Sequence, residues 1–357
     1  MIRSGAWLLS TALVLAVGAV AVLLSLGSPD AVLNDVPAFR PERPAQAGDI
    51  VLVEIPTGAT AEQIADELFR RGVITSTRQF QTLVGLLGYE DRLVIGTYDF
   101  EPGLLTIDVI ERIRSGVTSE LVVTIPEGLQ AAEIFDRIAQ ATPLTVAQLQ
   151  TAAADPSIAV GTLAGNRPQG VSLEGYLFPS TYVISRLADG EDVIRQMLQR
   201  FDAQFPPALQ TELTVSGRDL HTLLIVASIV EREAVLPTER QVIASVFWNR
   251  IRVDQRLEAD PTVQYALAQD PTSVAVFGAW KSLLTSQDLQ IVSPWNTYVT
   301  DGLPPTPIAS PGLESILATL RPAETTFFFF VARGDGGHLF ADTFAEHSDN
   351  VDRVRGQ

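Results

Sequence analysis

The stretch Leu223-Leu-Ile-Val-Ala-Ser-Ile-Val-Glu231 decides how the rest of the chain is interpreted. It is apolar except for one hydroxyl group until it reaches Glu231, which predicts a buried helix that ends at a carboxylate. Helical spacing places Glu231 on the same stripe as Leu224 and Ala227. A carboxylate at the edge of such a stripe is partly desolvated, which favours its protonated form. The alternative is that Glu231 only marks the point where the helix emerges into water.

The residues on either side define the limits of this helix. Ser216 is predicted to cap its N-terminus, with Asp219 in the first turn, where negative charge is favoured. At the other end, Glu233 lies two positions beyond Glu231 and points to roughly the opposite side. An amphipathic helix is predicted upstream, over Asp189–Phe205.

Length, charge and cysteine content exclude several kinds of protein. The chain has 357 residues, which is enough for two domains. Its formal net charge of −17 argues against nucleic acid as a partner, because a polyanion would be repelled. Without cysteine the chain has no disulfides, no thiolate metal site and no cysteine nucleophile. No metal or other cofactor is predicted.

The N-terminus predicts a membrane anchor. Ala6–Leu26 carries no charge and as a helix would be about 31 Å long, enough to cross a bilayer core. Arg3 precedes it and Asp30 follows, so residues 1–5 are expected in the cytoplasm. Residues 27–48 form a proline-rich linker, and the remainder is expected outside the cytoplasmic (inner) membrane as a single-pass protein. The alternative is a cleaved signal peptide.

An internal repeat follows the linker. Glu54-Ile-Pro-Thr-Gly58 begins the first repeat (Glu54–Leu68), and Thr124-Ile-Pro-Glu-Gly128 begins the second repeat (Thr124–Ile138), seventy residues later. Each predicts a strand, a turn and a short helix, and a weaker relative with Pro102-Gly103 lies between them. The pattern resembles LysM modules, which hold glycans containing N-acetylglucosamine. The alternative is that the repeats pack only as a structural subdomain.

The residue types leave carboxylates as the candidate catalytic groups. The chain contains no G-x-S-x-G elbow, S-x-x-K pair, H-E-x-x-H helix or G-x-x-x-x-G-K-[ST] loop. The three histidines lack zinc-ligand spacing and are predicted to be structural or on the surface. His338 alone, in a Gly-Gly-His turn, is a candidate to line a cleft.

Further motifs occur in order around this helix. They are Leu173-Glu-Gly-Tyr-Leu-Phe-Pro179, Ala227-Ser-Ile-Val-Glu231, Ala244-Ser-Val-Phe-Trp-Asn-Arg250, Asp260-Pro-Thr-Val-Gln-Tyr265, Asn296-Thr-Tyr298, Gly302-Leu-Pro-Pro305 and Gly336-Gly-His338. Together they resemble the YceG-like (MltG) family of endolytic murein transglycosylases. Two positions depart from the family pattern, since Trp295 stands where tyrosine is usual and Thr306 where glycine is frequent.

The resemblance implies an architecture and an activity. The expected fold is α+β, with the transmembrane helix (6–26), a LysM-like α/β subdomain (49–170) and a mixed α+β catalytic domain (171–357). The expected reaction cleaves the β-1,4 bond between N-acetylmuramic acid and N-acetylglucosamine in nascent peptidoglycan strands and leaves a 1,6-anhydro end. The family's catalytic glutamate corresponds to Glu231. Glycan strands are the expected substrate, and cell-wall synthases are expected neighbours.

A set of polar residues is predicted to bind the sugar hydroxyl and N-acetyl groups. The set is Asn249, Asp260, Tyr265, Asn296, Tyr298 and His338. Asp260 has a structural alternative, because Asp-Pro is also typical of a helix N-terminus. Two other functions remain open from the sequence. One is a non-catalytic, membrane-anchored peptidoglycan-binding or scaffold protein, and the other is a hydrolase that uses the same glutamate and leaves reducing ends.

Overall fold

A computed structural model describes residues 50–101, 104–116, 118–158 and 167–356. The predicted cytoplasmic tail, transmembrane helix and linker lie outside the described residues, as does Pro102-Gly103. The described residues form two compact units. The first comprises the residues up to Glu120 together with Ser185–Leu187, and the second comprises Leu121–Ile184 together with the residues from Ala188 onward.

The first unit is a small α+β arrangement built on one pair of strands. Its elements are β1 (Val51–Ile55), α1 (Ala61–Arg70), α2 (Thr77–Leu87), β2 (Gly96–Phe100) and α3 (Thr106–Ser115). Strands β1 and β2 are antiparallel, with Val53 opposite Tyr98. Inward-facing residues of the strands and helices, among them Leu68 and Ile110, form a separate hydrophobic core.

The second unit is mainly helical and contains two further pairs of strands. Its elements are β3 (Leu121–Thr124), α4 (Ala131–Ala141), α5 (Val146–Ala154), β4 (Thr181–Ile184), α6 (Gly190–Gln204), α7 (Pro207–Val215), α8 (Leu220–Glu233), α9 (Arg240–Arg252), α10 (Asp260–Ala268), α11 (Pro271–Phe277), α12 (Leu313–Leu320), β5 (Phe329–Ala332), β6 (His338–Ala341) and α13 (Phe344–Arg355). Strand β3 pairs with β4, and β5 with β6, both antiparallel. The predicted α+β class is confirmed.

The two repeats fall into different units. The strand–turn–helix order predicted for each is observed as β1–α1 and β3–α4. The second repeat belongs to the second unit because β3 pairs with β4, with Val123 opposite Tyr182, and because α4 packs into the larger core. The compact units therefore divide at Leu121, whereas the sequence grouped residues 49–170 together.

Helix α8 runs through the middle of the second unit. Its residues from Leu223 to Val230 are all buried. Leu224 and Ala227 pack into one hydrophobic cluster, whereas Val226 and Ile229 pack into another on the far side of the helix. A helix that is apolar on all sides is a core helix. Full burial of each large side chain stabilises the fold by about 1.5–3 kcal/mol, so the position of this helix is strongly fixed.

The N-terminus of α8 differs from the sequence prediction. Asp219, not Ser216, is the N-cap residue, and its Oδ1 accepts a 2.8 Å hydrogen bond from the Thr222 N–H. The Ser216 hydroxyl instead donates to the Leu213 carbonyl at the end of α7. The sequence could not distinguish the two caps because α7 and α8 are separated by only a short turn.

No single helix among the described residues is long and apolar enough to cross a membrane. Helices α7 and α8 reach the required length and composition only when they are taken together, and they are bent by 95° where they meet.

Candidate active site

Glu231 lies in the last turn of α8, where the buried part of the helix ends. Its side chain is half-buried, and its Oε2 accepts a 3.1 Å hydrogen bond from the N–H of Gly312, the N-cap residue of α12. The turn of the second repeat lies behind it, because a Cβ placed on Gly128 would be 3.6 Å from Glu231 Cγ. The glutamate is therefore held between α12 and the second repeat and does not extend freely into water.

Backbone hydrogen bonds fix the turn of the second repeat in this position. The Gly128 N–H donates to the Ser310 carbonyl, and the Ser310 N–H donates to the Leu129 carbonyl, both at 2.8 Å. Gly128 has φ = +78°, a left-handed conformation that favours glycine. The Ile-Pro-Glu-Gly motif thus specifies a turn that fits against Ser310, two residues before the donor to Glu231.

A second carboxylate, Glu127, lies beside Glu231. Its carboxyl group is in contact with Gly312, and a Cβ on that glycine would overlap it. Partial burial of the carboxyl group and then the charge of Glu231 raise the pKa of Glu127, with Arg240 opposing and Glu314 adding to this shift. Glu127 is not among the residues that the sequence motifs predict for the site. The signal that could have indicated it is the difference between the repeats, which carry Thr57 and Glu127 at the same position of the turn.

Arg232 contacts the turn of the second repeat. Its guanidinium lies 3.9 Å from the centroid of the Trp280 ring, and its Nη1 donates to the Gly128 carbonyl at 3.4 Å. The Trp280 indole N–H in turn donates to Glu133 Oε2 at 2.8 Å. This stacking holds the positive charge of Arg232 near Glu231, with the guanidinium directed at the indole ring and not at the Glu231 carboxylate.

Glu233 has different surroundings from Glu231, as the helical spacing predicted. Burial raises its pKa to about 8, and the charge of Asp260 adds to the shift. The Tyr298 hydroxyl donates to Asp260 Oδ1 at 2.7 Å. Asp260-Pro261 does begin α10, but Asp260 is its first helical residue and not its N-cap residue, which is Ala259 and makes no side-chain cap. Asp260 and Tyr298 thus form one polar pair near the end of α8.

Tyr265 takes part in a buried hydrogen-bond network within the core. It is 5% exposed, and its hydroxyl donates to Glu174 Oε2 at 3.1 Å. The other carboxylate oxygen of Glu174 accepts the N–H of Ala131, the first residue of α4, at 2.9 Å. Burial raises the pKa of Glu174 to about 7. The predicted contact of Tyr265 with a sugar would require this buried bond to break.

The two departures from the family pattern contact each other. The Trp295 indole N–H donates to the Thr306 hydroxyl at 2.9 Å. The Trp295 ring also packs against Tyr265, with their centroids 5.6 Å apart. The larger ring at 295 and the hydroxyl at 306 therefore compensate each other, because each gives the other a packing or hydrogen-bond partner.

Asn296 braces the loop that carries Tyr298. It is fully buried, and its amide group donates to the Leu289 and Ile291 carbonyls at 3.1 and 2.8 Å. Its Oδ1 accepts the Tyr298 N–H at 2.9 Å. Both amide protons are used within the loop, so the placement of Asn296 leaves no donor for a sugar. Its contribution to the site is to position Tyr298.

Asn249 and His338 lie at two other places in the second unit. The Asn249 amide donates to the Thr325 and Phe327 carbonyls and borders a cavity of about 830 Å³. His338 is buried, with its Nδ1 2.7 Å from Glu239 Oε2 and its backbone N–H donating to Glu239 Oε1. Of the predicted set, only Asp260 and Tyr298 have side chains that bond to each other and also remain at least partly exposed. They lie near the end of α8.

The described residues contain no group of three or more His, Asp or Glu side chains that could hold a metal ion. The fold and the site define an α+β protein with a half-buried glutamate at the end of a core helix and a second carboxylate beside it. Such an arrangement can donate and accept a proton at a bound substrate.

Comparison with known proteins places the chain more narrowly. Residues 53–353 match the YceG-like family, and the chain belongs to this family. It is 32% identical to an endolytic murein transglycosylase of Bacillus subtilis, over 84% of this chain and 83% of that one. A relative of the same name from Streptococcus pneumoniae is 28% identical, and the match covers 86% of this chain but 59% of the relative. A crystal structure of a YceG-like protein from Listeria monocytogenes is 31% identical, with a TM-score of 0.57 over 84% of this chain and 98% of that one.

Proposed function

We propose that this protein is an endolytic murein transglycosylase with Glu231 as its catalytic acid and base. The observation that carries the proposal is the placement of Glu231, half-buried at the end of α8 and oriented by the Gly312 N–H. Relatives with this activity in their names match most of the chain. The substrate would be the β-1,4 bond between N-acetylmuramic acid and N-acetylglucosamine in nascent peptidoglycan strands.

The reaction needs only one catalytic carboxyl group. Protonated Glu231 donates its proton to the glycosidic oxygen as the bond from that oxygen to C1 of N-acetylmuramic acid breaks. The C6 hydroxyl of the same sugar then bonds to C1, and its proton passes to the Glu231 carboxylate. The products are a free 4-hydroxyl on N-acetylglucosamine and a 1,6-anhydro ring, and no water is consumed. Hydrolases with two carboxylates instead add water, directly or after a covalent intermediate.

The surroundings of Glu231 suit this exchange of one proton. The Gly312 N–H holds one carboxylate oxygen and stabilises the charge that Glu231 carries after it has protonated the leaving group. Asp260 and Tyr298, linked to each other near the end of α8, are proposed to bind sugar hydroxyl or N-acetyl groups. Asn296 would act through Tyr298, because it braces the loop on which Tyr298 is carried.

The proposal extends to the place where the enzyme works. The uncharged stretch Ala6–Leu26 supports a single-pass anchor in the cytoplasmic membrane, with the catalytic part outside. The first repeat supports a LysM-like unit that holds glycan near the site of synthesis. Cell-wall synthases are the proposed neighbours, because they produce the nascent strands that this enzyme would cut.

The test is product analysis with the full chain. Uncrosslinked glycan strands are incubated with the wild-type protein and with Glu231→Gln, and the ends of the products are identified by mass. We expect internal cleavage with anhydro ends from the wild type and a rate roughly a hundred- to ten-thousandfold lower from Glu231→Gln, since the proton donor is lost. Glu191→Gln is the control, because it removes an exposed carboxyl group paired with Arg195 on α6.

The alternatives give different results. Reducing ends in place of anhydro ends would identify a hydrolase. Glycan binding without any cleavage would identify a binding or scaffold protein. If Glu233→Gln abolished cleavage and Glu231→Gln did not, the catalytic role would belong to the neighbouring carboxyl group, whose raised pKa also suits an acid.

A further inference from the structure

A cavity of about 830 Å³ lies in the second unit, at the end of α8 that is remote from Glu231. Its walls are Arg218, which precedes α8, the C-terminal half of α9, and residues 322–327, which follow α12. The rise of the helix separates Leu220 and Glu231 by about 16 Å along α8. The cavity is therefore separate from the candidate active site, and its volume lies within the range of roughly 300–1,000 Å³ that is typical of ligand pockets.

Arg218 presents a fixed guanidinium to this cavity. The guanidinium carbon lies 4.2 Å from the centroid of the Trp248 ring, and Nη1 donates to the Leu320 carbonyl at 3.2 Å. The Trp248 indole N–H donates to the Thr319 carbonyl at 2.9 Å, so the ring beneath the guanidinium is also held. A guanidinium carries several N–H donors, and Leu320 provides the one acceptor that Arg218 has among the described residues. Its remaining donors are therefore available to a ligand.

Asn249 orients a second arginine at the same cavity. Arg252 Nη2 donates to Asn249 Oδ1 at 3.1 Å. The amide group of Asn249 is itself fixed, because it donates to the Thr325 and Phe327 carbonyls at 3.0 and 2.9 Å. Asn249, for which the sequence motifs predict a sugar contact, is buried and instead positions Arg252.

The two arginines concentrate positive charge in a chain whose formal net charge is −17. Among the described residues, neither has a carboxylate oxygen within 4.0 Å of its side-chain nitrogens. Burial lowers the pKa of Arg218, so its charge is partly desolvated. Of the described residues that line the cavity, Glu324 is the one acidic residue, and it is exposed. Two arginines and one glutamate leave the lining with a single positive charge, which suits a carboxylate better than a phosphate dianion.

We propose that the cavity binds the free carboxylate group of a peptide chain. The planar guanidiniums of Arg218 and Arg252 match the geometry of a carboxylate and can donate charge-assisted hydrogen bonds to it. The apolar side chains of the lining would contact the rest of the peptide, and they are Pro322, Ala323 and Phe327.

The source assigned to this peptide rests on the proposed function. Uncrosslinked peptidoglycan strands carry peptides with free carboxylates, and a crosslink converts such a group into an uncharged amide. Binding in the cavity would therefore favour nascent strands over crosslinked ones.

A structural role is the alternative for each arginine. Arg218 contacts the C-terminus of α12, where a positive charge is favoured even without a ligand, and Arg252 is the last residue of α9. Such a role predicts that both residues affect stability and that neither affects the binding of a peptide.

The test is calorimetric titration of the full chain with the peptides released from uncrosslinked strands. The matched probe is the same peptides with their carboxyl groups converted to amides. We expect saturable binding of the carboxylate form and at least about tenfold weaker binding of the amide form, because the charge-assisted hydrogen bonds are lost.

Variants of the two arginines connect the binding to the cavity. Arg218→Gln and Arg252→Gln should each weaken binding of the carboxylate form by about tenfold. Arg195→Gln is the control, because it removes the same charge from an exposed ion pair with Glu191 on α6. The Arg252 side chain is exposed, so Arg252→Gln provides the test if Arg218→Gln, which loses its bond to Leu320, does not fold.

Three results would overturn the proposal. The first is equal binding of the two peptide forms, or unchanged binding in both arginine variants. The second is an equal loss of binding in Arg195→Gln, because the effect would then belong to net charge and not to the cavity. The third is tighter binding of inorganic phosphate than of the peptide, which would assign the cavity to phosphate groups.

The titration is independent of the formation of anhydro ends. If the wild type binds the peptide through Arg218 and Arg252 but forms no anhydro ends, the proposed function fails and the binding site stands. If the wild type forms anhydro ends but both arginine variants bind the peptide as the wild type does, the binding site fails and the proposed function stands.

Discussion

The two repeats share the Ile-Pro-x-Gly motif but have different surroundings. In the first repeat, the turn residue Gly58 has φ = +79°, and a Cβ placed on it would meet no atom within 4 Å. In the second repeat, Gly128 has φ = +78°, and a Cβ would lie 3.4 Å from Arg232 Nη1 and 3.6 Å from Glu231 Cγ. The motif therefore specifies the shape of the turn in both repeats, whereas only the second turn borders the candidate active site.

The helices that follow the two turns differ in how many of their first N–H groups are capped by distant residues. Helix α1 is capped by its own residues, since Thr60 and Gln63 exchange side-chain and backbone hydrogen bonds. Helix α4 has the corresponding local bond, in which the Gln130 N–H donates to Glu133 Oε2, and it adds a bond to a distant residue, because the Ala131 N–H donates to the buried carboxylate of Glu174. Both helices therefore have a local cap, whereas only the second repeat adds a cap from a distant part of its unit.

The largest expected difference between the repeats comes from placing valine at each turn glycine. Both variants carry the same backbone strain, because a β-branched residue is disfavoured at positive φ. Gly128→Val should also displace Glu231 or Arg232, and we expect kcat for anhydro-end formation to fall by about 100-fold. Gly58→Val should lower stability without lowering kcat. Measuring kcat and thermal unfolding for both variants checks this.

Equal losses of kcat in these two variants would contradict the conclusion that only the second turn acts on the candidate active site. The turn would then act only through the stability of the fold and not through contact with Glu231. Activity is best expressed per folded molecule, since strain in either turn reduces the folded fraction.

Local structure around Glu231 could be predicted from the sequence. The buried helix over the apolar run and the different surroundings of Glu231 and Glu233 follow from helical spacing. The strand, turn and helix of each repeat likewise follow from signals a few residues apart. Each of these predictions depends on residues that are neighbours in the chain.

The partners of the site residues could not be predicted in the same way. Gly312 donates to Glu231 and makes room for Glu127, yet these three residues belong to distant parts of the sequence. Asn296 illustrates the same problem, because an amide binds a backbone carbonyl as readily as a sugar hydroxyl. Only the packing of the second unit decides between these uses.

Glu174, which adds the distant cap to the second repeat, should make stability depend on pH. Its pKa is about 7 in the folded protein and 4.5 as the ordinary value, so the folded state binds the extra proton between these limits. The favourable contribution is fully present below pH 4.5 and is lost as the pH rises through 7. We expect a loss on the order of 3 kcal/mol across this window.

Urea unfolding at pH 4.5 and pH 8 measures this effect as the difference between the wild type and Glu174→Gln. The variant removes the titrating group and should lose less stability on going to the higher pH. If both proteins changed their unfolding free energy equally between the two pH values, Glu174 would not titrate in this range. The hydrogen bonds that join Ala131 and Tyr265 through Glu174 would then be insensitive to pH.

The smallest expected effect belongs to the first repeat, where the cap is local. Thr60→Ala removes the acceptor for the Gln63 N–H and should destabilise the first unit by about 1 kcal/mol, while kcat stays unchanged. Chemical unfolding and the anhydro-end assay measure the two quantities separately. Glu174→Ala is the counterpart in the second repeat, and it should cost more because it leaves both the Ala131 N–H and the Tyr265 hydroxyl without their acceptor. If Thr60→Ala were the more damaging of the two, the distant cap would add little to the second repeat, and the distinction between a repeat with a local cap and one with an added distant cap would not hold.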